Sequence, residues 1–188
     1  MEQVIHQIQA LDLTGSQEQS LLRGQARVLT YNQLNSLETL LSGPIALLFP
    51  TSSEFNSGHW LAIWPDARTR TIHHFDSYGL PPSAELRYSS NADVKQEVLN
   101  TLYTQAQQQG WTLKVNTFRL QQMGGKINTC GRHVICRLRM RYLDEAQYGR
   151  LMMGQRLSPD DIVTYLTLLA LDEDEHSVGL IMRASGSA

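Results

Sequence analysis

The 188-residue sequence is poor in cysteine, in long apolar runs and in net charge, and each of these scarcities argues against one class of protein. It has two cysteines, Cys130 and Cys136, which are too few for a disulfide framework and favour a reducing compartment. It has no apolar run near the length of a bilayer-spanning helix and no signal-peptide pattern in its first residues, so we expect no membrane partner. Its formal net charge is only -2, so we do not expect nucleic acid to be required.

What the chain does contain is typical of one folded domain. Its residues are 41% apolar and 18% charged, and the length is sufficient for a substantial core. We therefore predict a single domain over residues 1–188, acting as a monomer. The weakly patterned ends, residues 1–28 and 172–188, are predicted to be loosely ordered arms, with wrapping around the domain as the alternative for the first.

Two strands and one helix are predicted in the central part of the chain. Residues 59–64 have the pattern and composition of a strand, and residues 69–75 pair back onto it as a hairpin. Residues 130–143 have helical spacing, with an apolar face that extends to Tyr142. The expected fold class is α+β, with a small central antiparallel sheet flanked by helices.

Cys130 stands where this helix is predicted to begin. A thiol attacks carbonyl groups as a thiolate, and a helix N-terminus or a neighbouring imidazolium stabilises that negative charge. The next residue, Gly131, lacks a side chain that would obstruct an approaching substrate. The segment therefore has the features of a nucleophilic cysteine.

A base for this nucleophile is available on the predicted hairpin. His59 begins the first strand and Asp76 follows the second, so pairing of the strands brings them together. Asp76 can then hold the ring of His59 as it faces Cys130. The backbone N–H of Cys130 and a side-chain amide from Gln121 or Gln122 are the candidate donors to an oxyanion.

The order of these residues resembles that of the adenovirus-type (adenain-like) maturation proteases and the related ubiquitin-like-specific proteases. The compact length and the motif Phe75-Asp76-Ser77-Tyr78-Gly79 are more similar to the viral branch, which includes proteases of large DNA viruses and their satellite viruses. The segments that carry the resemblance are Gly58-His59-Trp60, Phe75-Asp76-Ser77-Tyr78-Gly79, Gln121-Gln122 and Asn128-Thr129-Cys130-Gly131-Arg132-His133.

The resemblance implies a papain-like cysteine protease fold with a permuted order of catalytic residues, His-Asp-Gln-Cys. It implies that Cys130 is the nucleophile, that His59 is the base and that Asp76 is the partner of the base. It also implies that Gln122 is the oxyanion donor and that Trp60 lines a narrow substrate channel.

The implied activity is that of a cysteine endopeptidase acting through a Cys-His-Asp triad and a thioester acyl-enzyme. Its partners would be capsid or scaffold precursor proteins, cleaved at Gly-containing sites during virion maturation, and an activating peptide is a further candidate partner. No cofactor is expected. The implied location is the host-cell cytoplasm, at the viral factory, and the virion. The alternative is a protease that removes ubiquitin or SUMO-like modifiers, as an effector does.

Two of the assigned roles have rivals in the sequence. Gln122 lies eight residues before the nucleophile, slightly further than is usual in the family, so Gln121 is the rival oxyanion donor. His73 and His74 are rivals for the base, but both lie very close to Asp76 in sequence and neither is followed by a tryptophan.

A non-catalytic alternative treats the cysteines as metal ligands. Cys130, His133 and Cys136 with one further histidine have the residue types of a zinc site. On a helix, however, Cys130 and Cys136 point to different faces, whereas zinc needs its ligands to converge. We therefore expect no metal.

Overall fold

The computed structural model describes residues 2–50, 58–85, 97–124 and 127–171, and every structural statement below refers to these. The segment 172–188, predicted as a loose arm, lies outside them. No helix in these four ranges has the length and apolar character needed to cross a membrane. The elements, in chain order, are α1 (Glu2–Gln9), α2 (Gly15–Leu22), β1 (Arg27–Thr30), a 3-10 turn (Tyr31–Gln33), α3 (Leu37–Leu41), β2 (Ile45–Pro50), β3 (Gly58–Asp66), β4 (Thr71–Asp76), α4 (Pro82–Glu85), α5 (Val98–Gln108), β5 (Thr112–Val115), α6 (Cys130–Arg139), α7 (Glu145–Met153) and α8 (Pro159–Leu171).

A five-stranded sheet, in the order β1-β2-β3-β4-β5, forms the centre of the described chain. The two inner pairings, β2 with β3 and β3 with β4, are antiparallel, whereas β1–β2 and β4–β5 are parallel. The α+β class with helices around the sheet is therefore confirmed, but the prediction of an antiparallel sheet is wrong for the outer pairs. A parallel pair needs a crossover connection, and helical segments supply one between β1 and β2 and another between β4 and β5.

The hairpin of β3 and β4 carries the predicted base and its partner at its open end. Asp76, the last residue of β4, pairs with Leu61, and His59 lies two residues before Leu61 in β3. The turn is at the opposite end, where the carboxylate of Asp66 accepts hydrogen bonds from the backbone N–H groups of Arg68 and Thr69. The register of one tight hairpin thus brings two distant residues of the sequence to the same edge.

Each face of the sheet is covered by its own apolar cluster. One cluster joins β2, β3 and β4 to α2, α6, α7 and α8, and the other joins the opposite face of the same strands to α3 and α5. Burying both faces explains why β3 is almost continuously apolar rather than alternating. The largest fully buried apolar side chains in these clusters include Phe49, Phe75, Leu22, Leu34, Leu40, Ile45, Leu47, Leu61, Ile63 and Ile72.

Residues 2–28, predicted as a loose arm or as a segment wrapped around the domain, contain α1, α2 and the beginning of β1, and several of their side chains are buried. Thr14 caps α2 by accepting a hydrogen bond from the backbone N–H of Gln17. Leu21 and Leu22 of this helix are buried in the core. Burial of α2 also places Glu18 against Gly131 at the beginning of α6, which matters for the site described below.

The helix that begins at Cys130 ends sooner than predicted. It stops at Arg139, and Tyr142, which was expected on its apolar face, is 71% exposed. Arg137 accounts for the early end, because its guanidinium donates to the carbonyl oxygens of Met140 and Leu143 and stabilises the turn that follows the helix.

The guanidinium of Arg137 is fully buried between two aromatic rings. It lies 4.5 Å from the ring centroid of Trp64 and 4.7 Å from that of Tyr148, and it forms an ion pair of 3.3 Å with Glu145. A planar guanidinium can stack on the rings and donate in its own plane at the same time, which an ammonium cannot do.

Arg137→Lys should therefore destabilise the fold although it preserves the charge. We expect the free energy of unfolding to fall by about 2 kcal/mol, because buried carbonyl oxygens lose their donors and two rings lose their stacking partner. Urea denaturation measures this directly. The matched control is Arg150→Lys, at an exposed position, which should change stability by less than about 0.5 kcal/mol. A similarly small change for Arg137→Lys would contradict the role of the sandwich.

Candidate active site

His59 and Asp76 form a hydrogen-bonded pair at the open end of the hairpin. His59 Nε2 lies 3.1 Å from Asp76 Oδ1, and the side chain of Asp76 is fully buried while that of His59 is 11% exposed. Because a carboxylate oxygen only accepts, the Nε2–H of His59 donates in this bond. The other ring nitrogen, Nδ1, is then the one that can exchange a proton with a nucleophile.

The backbone at Asp76 is held in place by an amide side chain. The parallel pairing of β4 with β5 ends at His74 and Val115. Beyond that point Asn116 accepts the backbone N–H of Asp76 at 2.9 Å and donates to its carbonyl oxygen at 2.7 Å. The side chain of Asn116 thus continues the ladder for one more residue and fixes the carboxyl group in front of His59.

Cys130 is the first residue of α6 and is 7% exposed. Burial by itself would lower the pKa of His59, but hydrogen bonds to Asp76 and to Cys130, together with the charges of both, outweigh it, so that pKa lies well above its ordinary value. The structure therefore brings together the three residues that the sequence proposed as nucleophile, base and partner. An imidazolium beside a thiol at a helix N-terminus is suited to nucleophilic chemistry.

The ring of Tyr78 covers one face of the base. Its centroid lies 5.0 Å from that of His59, with an interplanar angle of 23°, and its backbone N–H donates to Asp76 Oδ1 at 2.6 Å. Burial and the neighbouring charges of Cys130, Asp76 and Asp160 raise the pKa of Tyr78 to about 12. Tyr78 therefore stays a neutral phenol that restrains the ring of His59.

The two candidate oxyanion donors occupy different environments. Gln121 is buried, where it accepts the hydroxyl of Ser77 at 2.7 Å and donates to the carbonyl oxygen of Ile127 at 3.2 Å. Gln122 is exposed, and its backbone N–H donates to Asp160 Oδ2 at 3.0 Å. The assignment of Gln122 as the donor, with Gln121 as its rival, stays a prediction.

Trp60 lies beside Gly131, the residue that follows the candidate nucleophile. A Cβ atom built on Gly131 would be 3.2 Å from Trp60 Cδ1, and one built on Gly15 of α2 would be 4.0 Å from Trp60 Cη2. The indole is therefore covered by α2 and is only 5% exposed. Its role in a substrate channel stays a prediction.

The space beside Gly131 is filled by a carboxyl group of the protein itself. A Cβ atom on Gly131 would overlap Glu18 Oε1, so the glycine leaves room for Glu18. Glu18 is fully buried, and neither of its oxygens has a hydrogen-bond partner within the described residues. Burial and the charge of Cys130 raise its pKa well above the ordinary value, against the opposing charge of Arg132. Nothing in the Gln-rich sequence of α2 indicated this position.

The rival histidines have other partners. His73 stacks on Trp64 with ring centroids 4.7 Å apart, and its Nδ1 lies 3.9 Å from Glu145. His74 Nδ1 lies 2.9 Å from the hydroxyl of Tyr103 on the opposite face of the sheet. In this geometry His59 is the histidine that meets both Asp76 and the cysteine.

A second buried histidine–aspartate pair lies one turn along α6. His133 Nε2 is 3.0 Å from Asp160 Oδ1, and both side chains are buried. Nearby, burial raises the pKa of the Cys136 thiol to about 12. Among the residues that the structure describes, no group of three or more histidine, cysteine or acidic side chains is placed to hold a metal ion. Asp160 belongs to the segment Ser158-Pro159-Asp160-Asp161, whose serine, proline and acids are typical of a helix start, and this pattern gives no sign that Asp160 points inward.

Comparisons with known proteins give a viral relative. The chain matches no protein-family model. It is 26% identical over 159 residues to the uncharacterized protein V9 of the Sputnik virophage, covering 79% of this chain and 89% of that protein. It also aligns with the central domain of the uncharacterized Lpg1148 protein from Legionella pneumophila, with a TM-score of 0.43, 14% identity and coverage of 93% of each chain. The chain is thus similar to a viral protein whose activity is not described.

Asp76→Asn should lower the pKa of His59. The substitution removes a buried negative charge that now favours the imidazolium. NMR titration of the His59 ring measures this. The control is Asp66→Asn, which removes a carboxylate at the far end of β3, the strand that contains His59. Equal pKa values for His59 in wild type and Asp76→Asn would show that the pair does not set its protonation.

Glu18→Gln should stabilise the protein increasingly as pH rises. The folded-state pKa of Glu18 lies well above the unfolded value of 4.5, so below pH 4.5 the carboxyl is protonated in both states. As pH rises from 4.5 toward the folded-state pKa, the unfolded chain ionises first and the wild type loses stability, while the variant does not. Thermal denaturation from about pH 4 to about pH 8 should show a growing advantage in Tm. A difference that stays constant with pH would refute this account of Glu18.

Proposed function

We propose that this chain is a cysteine endopeptidase in which Cys130 is the nucleophile, His59 the base and Asp76 the partner of the base. The observation that carries the proposal is the 3.1 Å hydrogen bond between His59 and Asp76, together with the position of Cys130 at the first residue of α6, where its thiol is one of the groups that raise the pKa of His59. Three groups with complementary roles converge on one point from two strands and one helix. A histidine that only packed in the core would not need both partners.

The reaction follows the usual course of nucleophilic catalysis at a thiolate. The sulfur of Cys130 attacks the carbonyl carbon of the scissile peptide, and the oxyanion accepts hydrogen bonds from the Cys130 N–H and the Gln122 side chain. As the C–N bond breaks, the imidazolium of His59 gives its proton to the departing amine. His59 then takes a proton from water, which attacks the thioester and releases the carboxylic acid and the thiolate.

The substrates we propose are capsid or scaffold precursor proteins, cleaved at Gly-containing sites during virion maturation. The similarity to a virophage protein supports a viral role. The expectation of Gly-containing sites comes from the resemblance to the maturation proteases. The enzyme would act as a monomer, without cofactor or nucleic acid, in the host-cell cytoplasm and the virion, with an activating peptide as a further partner.

Cleavage of fluorogenic peptides with glycine before the scissile bond tests this proposal. Wild-type protein should cleave them, and Cys130→Ala should reduce kcat/KM by at least about 1000-fold because the variant lacks the attacking sulfur. Cys136→Ala is the matched control and should retain activity, since burial raises the pKa of that thiol to about 12. Peptides with valine in place of the glycine should not be cleaved.

The same assay separates the two candidate roles. Substrates that join ubiquitin or SUMO C-termini to a fluorophore should be poor if the role is capsid maturation. Cleavage of these modifiers alone would assign the site to deconjugation instead. Absence of hydrolysis of every substrate, with full-length folded protein and with precursor-derived peptides added as activators, would contradict an endopeptidase.

A further inference from the structure

The carboxyl group of Glu18 is a buried polar group near Cys130 whose hydrogen-bonding capacity is unused. The residue is 0% exposed, and within the described residues neither of its carboxyl oxygens has a hydrogen-bond partner. Buried polar groups are nearly always hydrogen-bonded, because an unpaired group has given up its hydrogen bonds to water without replacing them. An unpaired carboxyl group close to a candidate nucleophile points to a partner that arrives with the substrate.

The carboxyl group of Glu18 lies at the open end of α6. Its Oε1 occupies the place where a Cβ atom of Gly131 would be. Because the Cα–Cβ bonds of a helix tilt toward its N-terminus, this place is on the side of Gly131 that faces the unpaired N–H groups of the first turn. The N–H of Cys130, the first residue of α6, is a candidate donor to the oxyanion. Glu18 and the backbone of Cys130 therefore border the same helix end.

The surroundings of Glu18 favour its neutral form. Arg132 forms no ion pair with it, because the guanidinium donates elsewhere: Nη1 to the hydroxyl of Thr167 at 2.8 Å and Nη2 to the carbonyl oxygen of Ile8 at 3.4 Å. The indole of Trp60 borders the same space beside Gly131. A buried carboxylate without a hydrogen bond or a paired cation is strongly disfavoured, so the carboxyl group keeps its proton.

The ionisable groups that act on Glu18 lie on α6. They are Cys130 and Arg132, and the charge of Glu18 in turn affects Cys136. Burial and the charge of Cys130 raise the pKa of Glu18 well above the ordinary value and outweigh Arg132. The neighbouring Trp60 of β3 and Thr167 of α8 bring no charge. A carboxyl group that keeps its proton has an O–H, so it can donate a hydrogen bond, whereas a carboxylate can only accept one.

The two glutamines leave a place for such a donor. The side chain of Gln121 is already bonded to Ser77 and to the carbonyl oxygen of Ile127, and Gln122 is exposed. An oxyanion is stabilised most by donors that are shielded from water and fixed before the reaction. Glu18 is shielded in this way, because it projects into the protein from a helix packed on the core.

We propose that Glu18 is a further catalytic residue, which donates a hydrogen bond from its neutral carboxyl group to the oxyanion formed at Cys130. Attack of the sulfur forms the C–S bond and moves the π electrons of the carbonyl group onto the oxygen that accepts this hydrogen bond. The proton stays on Glu18 throughout. The inference rests on the proposed function, because an oxyanion forms only if Cys130 attacks a carbonyl group.

Peptide cleavage and thiol alkylation together test the proposal, because only cleavage passes through an oxyanion. Glu18→Met removes the O–H and keeps an unbranched side chain of similar length. At acidic pH it should lower kcat/KM for the glycine-containing fluorogenic peptides about 100-fold, the typical effect of losing one oxyanion donor. The rate of Cys130 alkylation by iodoacetamide, measured at the same pH, should change little. Unchanged kcat/KM, or an equal fall in both rates, would overturn the proposal.

Glu18→Gln separates hydrogen bonding from packing. The amide keeps an N–H donor, so at acidic pH this variant should restore most of the kcat/KM that Glu18→Met loses. The amide also cannot ionise. As the pH rises and Glu18 of the wild type loses its proton, the wild type loses its donor, so the ratio of kcat/KM in Glu18→Gln to that in wild type should increase. Failure of Glu18→Gln to restore cleavage, or a ratio that falls with pH, would contradict the proposal.

Two controls keep the result interpretable. Gln19→Met places the same side chain at the next residue of α2, which is exposed, and should leave both rates unchanged. Thermal denaturation checks that each variant is folded. If the wild type cleaves no peptide, the proposed function and this role of Glu18 are both refuted. If the wild type is active and Glu18→Met cleaves equally well, only the role of Glu18 is refuted.

Discussion

The buried carboxyl group of Asp76 is the constraint on which the candidate site depends. A carboxylate without solvent needs hydrogen bonds, and Asp76 obtains them from the ring of His59 and the backbone N–H of Tyr78. Its backbone is in turn held by Asn116 at the end of the ladder between β4 and β5. Satisfying this one buried charge orients the histidine toward α6, so that a requirement of folding produces the geometry of a base.

The N-terminus of α6 supplies the second half of the arrangement. Its unpaired N–H groups favour negative charge at Cys130, and the imidazolium of His59 acts in the same direction. Two further carboxyl groups, Glu18 and Asp160, approach the same helix end. Burial by itself would raise the pKa of Asp160, but the hydrogen bonds and charge of His133 and the hydrogen bonds from Thr129 and Gln122 hold it below the ordinary value, so Asp160 stays ionised. Glu18 has no such partner within the described residues, so burial keeps its pKa high and limits its repulsion of a thiolate.

Local sequence patterns account for the hairpin but not for the residues that surround it. The apolar strand at residues 59–64 and its returning partner were predictable, and because both His59 and Asp76 stand at the open end, their meeting followed from the register. The parallel pairings of β1 with β2 and of β5 with β4 depend on crossovers that no short pattern specifies. The early end of α6 depends on Arg137 finding two aromatic rings in other elements.

The roles of Glu18 and Asp160 were not predictable for the same reason. Glu18 lies in a Gln-rich helix with a weak apolar face, and its position against Gly131 is set by the packing of α2. Asp160 and Asp161 are equivalent in sequence as acidic residues of a first turn, yet Asp161 bonds the cap residue Ser158 while Asp160 turns inward. The papain-like fold and the peptidase activity remain predictions from the resemblance of a few central motifs.

The central claim is that His59 activates Cys130, and the pH dependence of alkylation tests it most directly. Iodoacetamide rates are measured from about pH 5 to about pH 9 for both cysteines, in wild type and His59→Ala. The account predicts that Cys130 reacts rapidly at about pH 6 and that His59→Ala abolishes this rapid reaction. Cys136 should react slowly over the whole pH range. If Cys130 of the wild type instead reacts only as the pH approaches about 8.5, where an ordinary thiol ionises, and is indifferent to His59→Ala, the claim is contradicted.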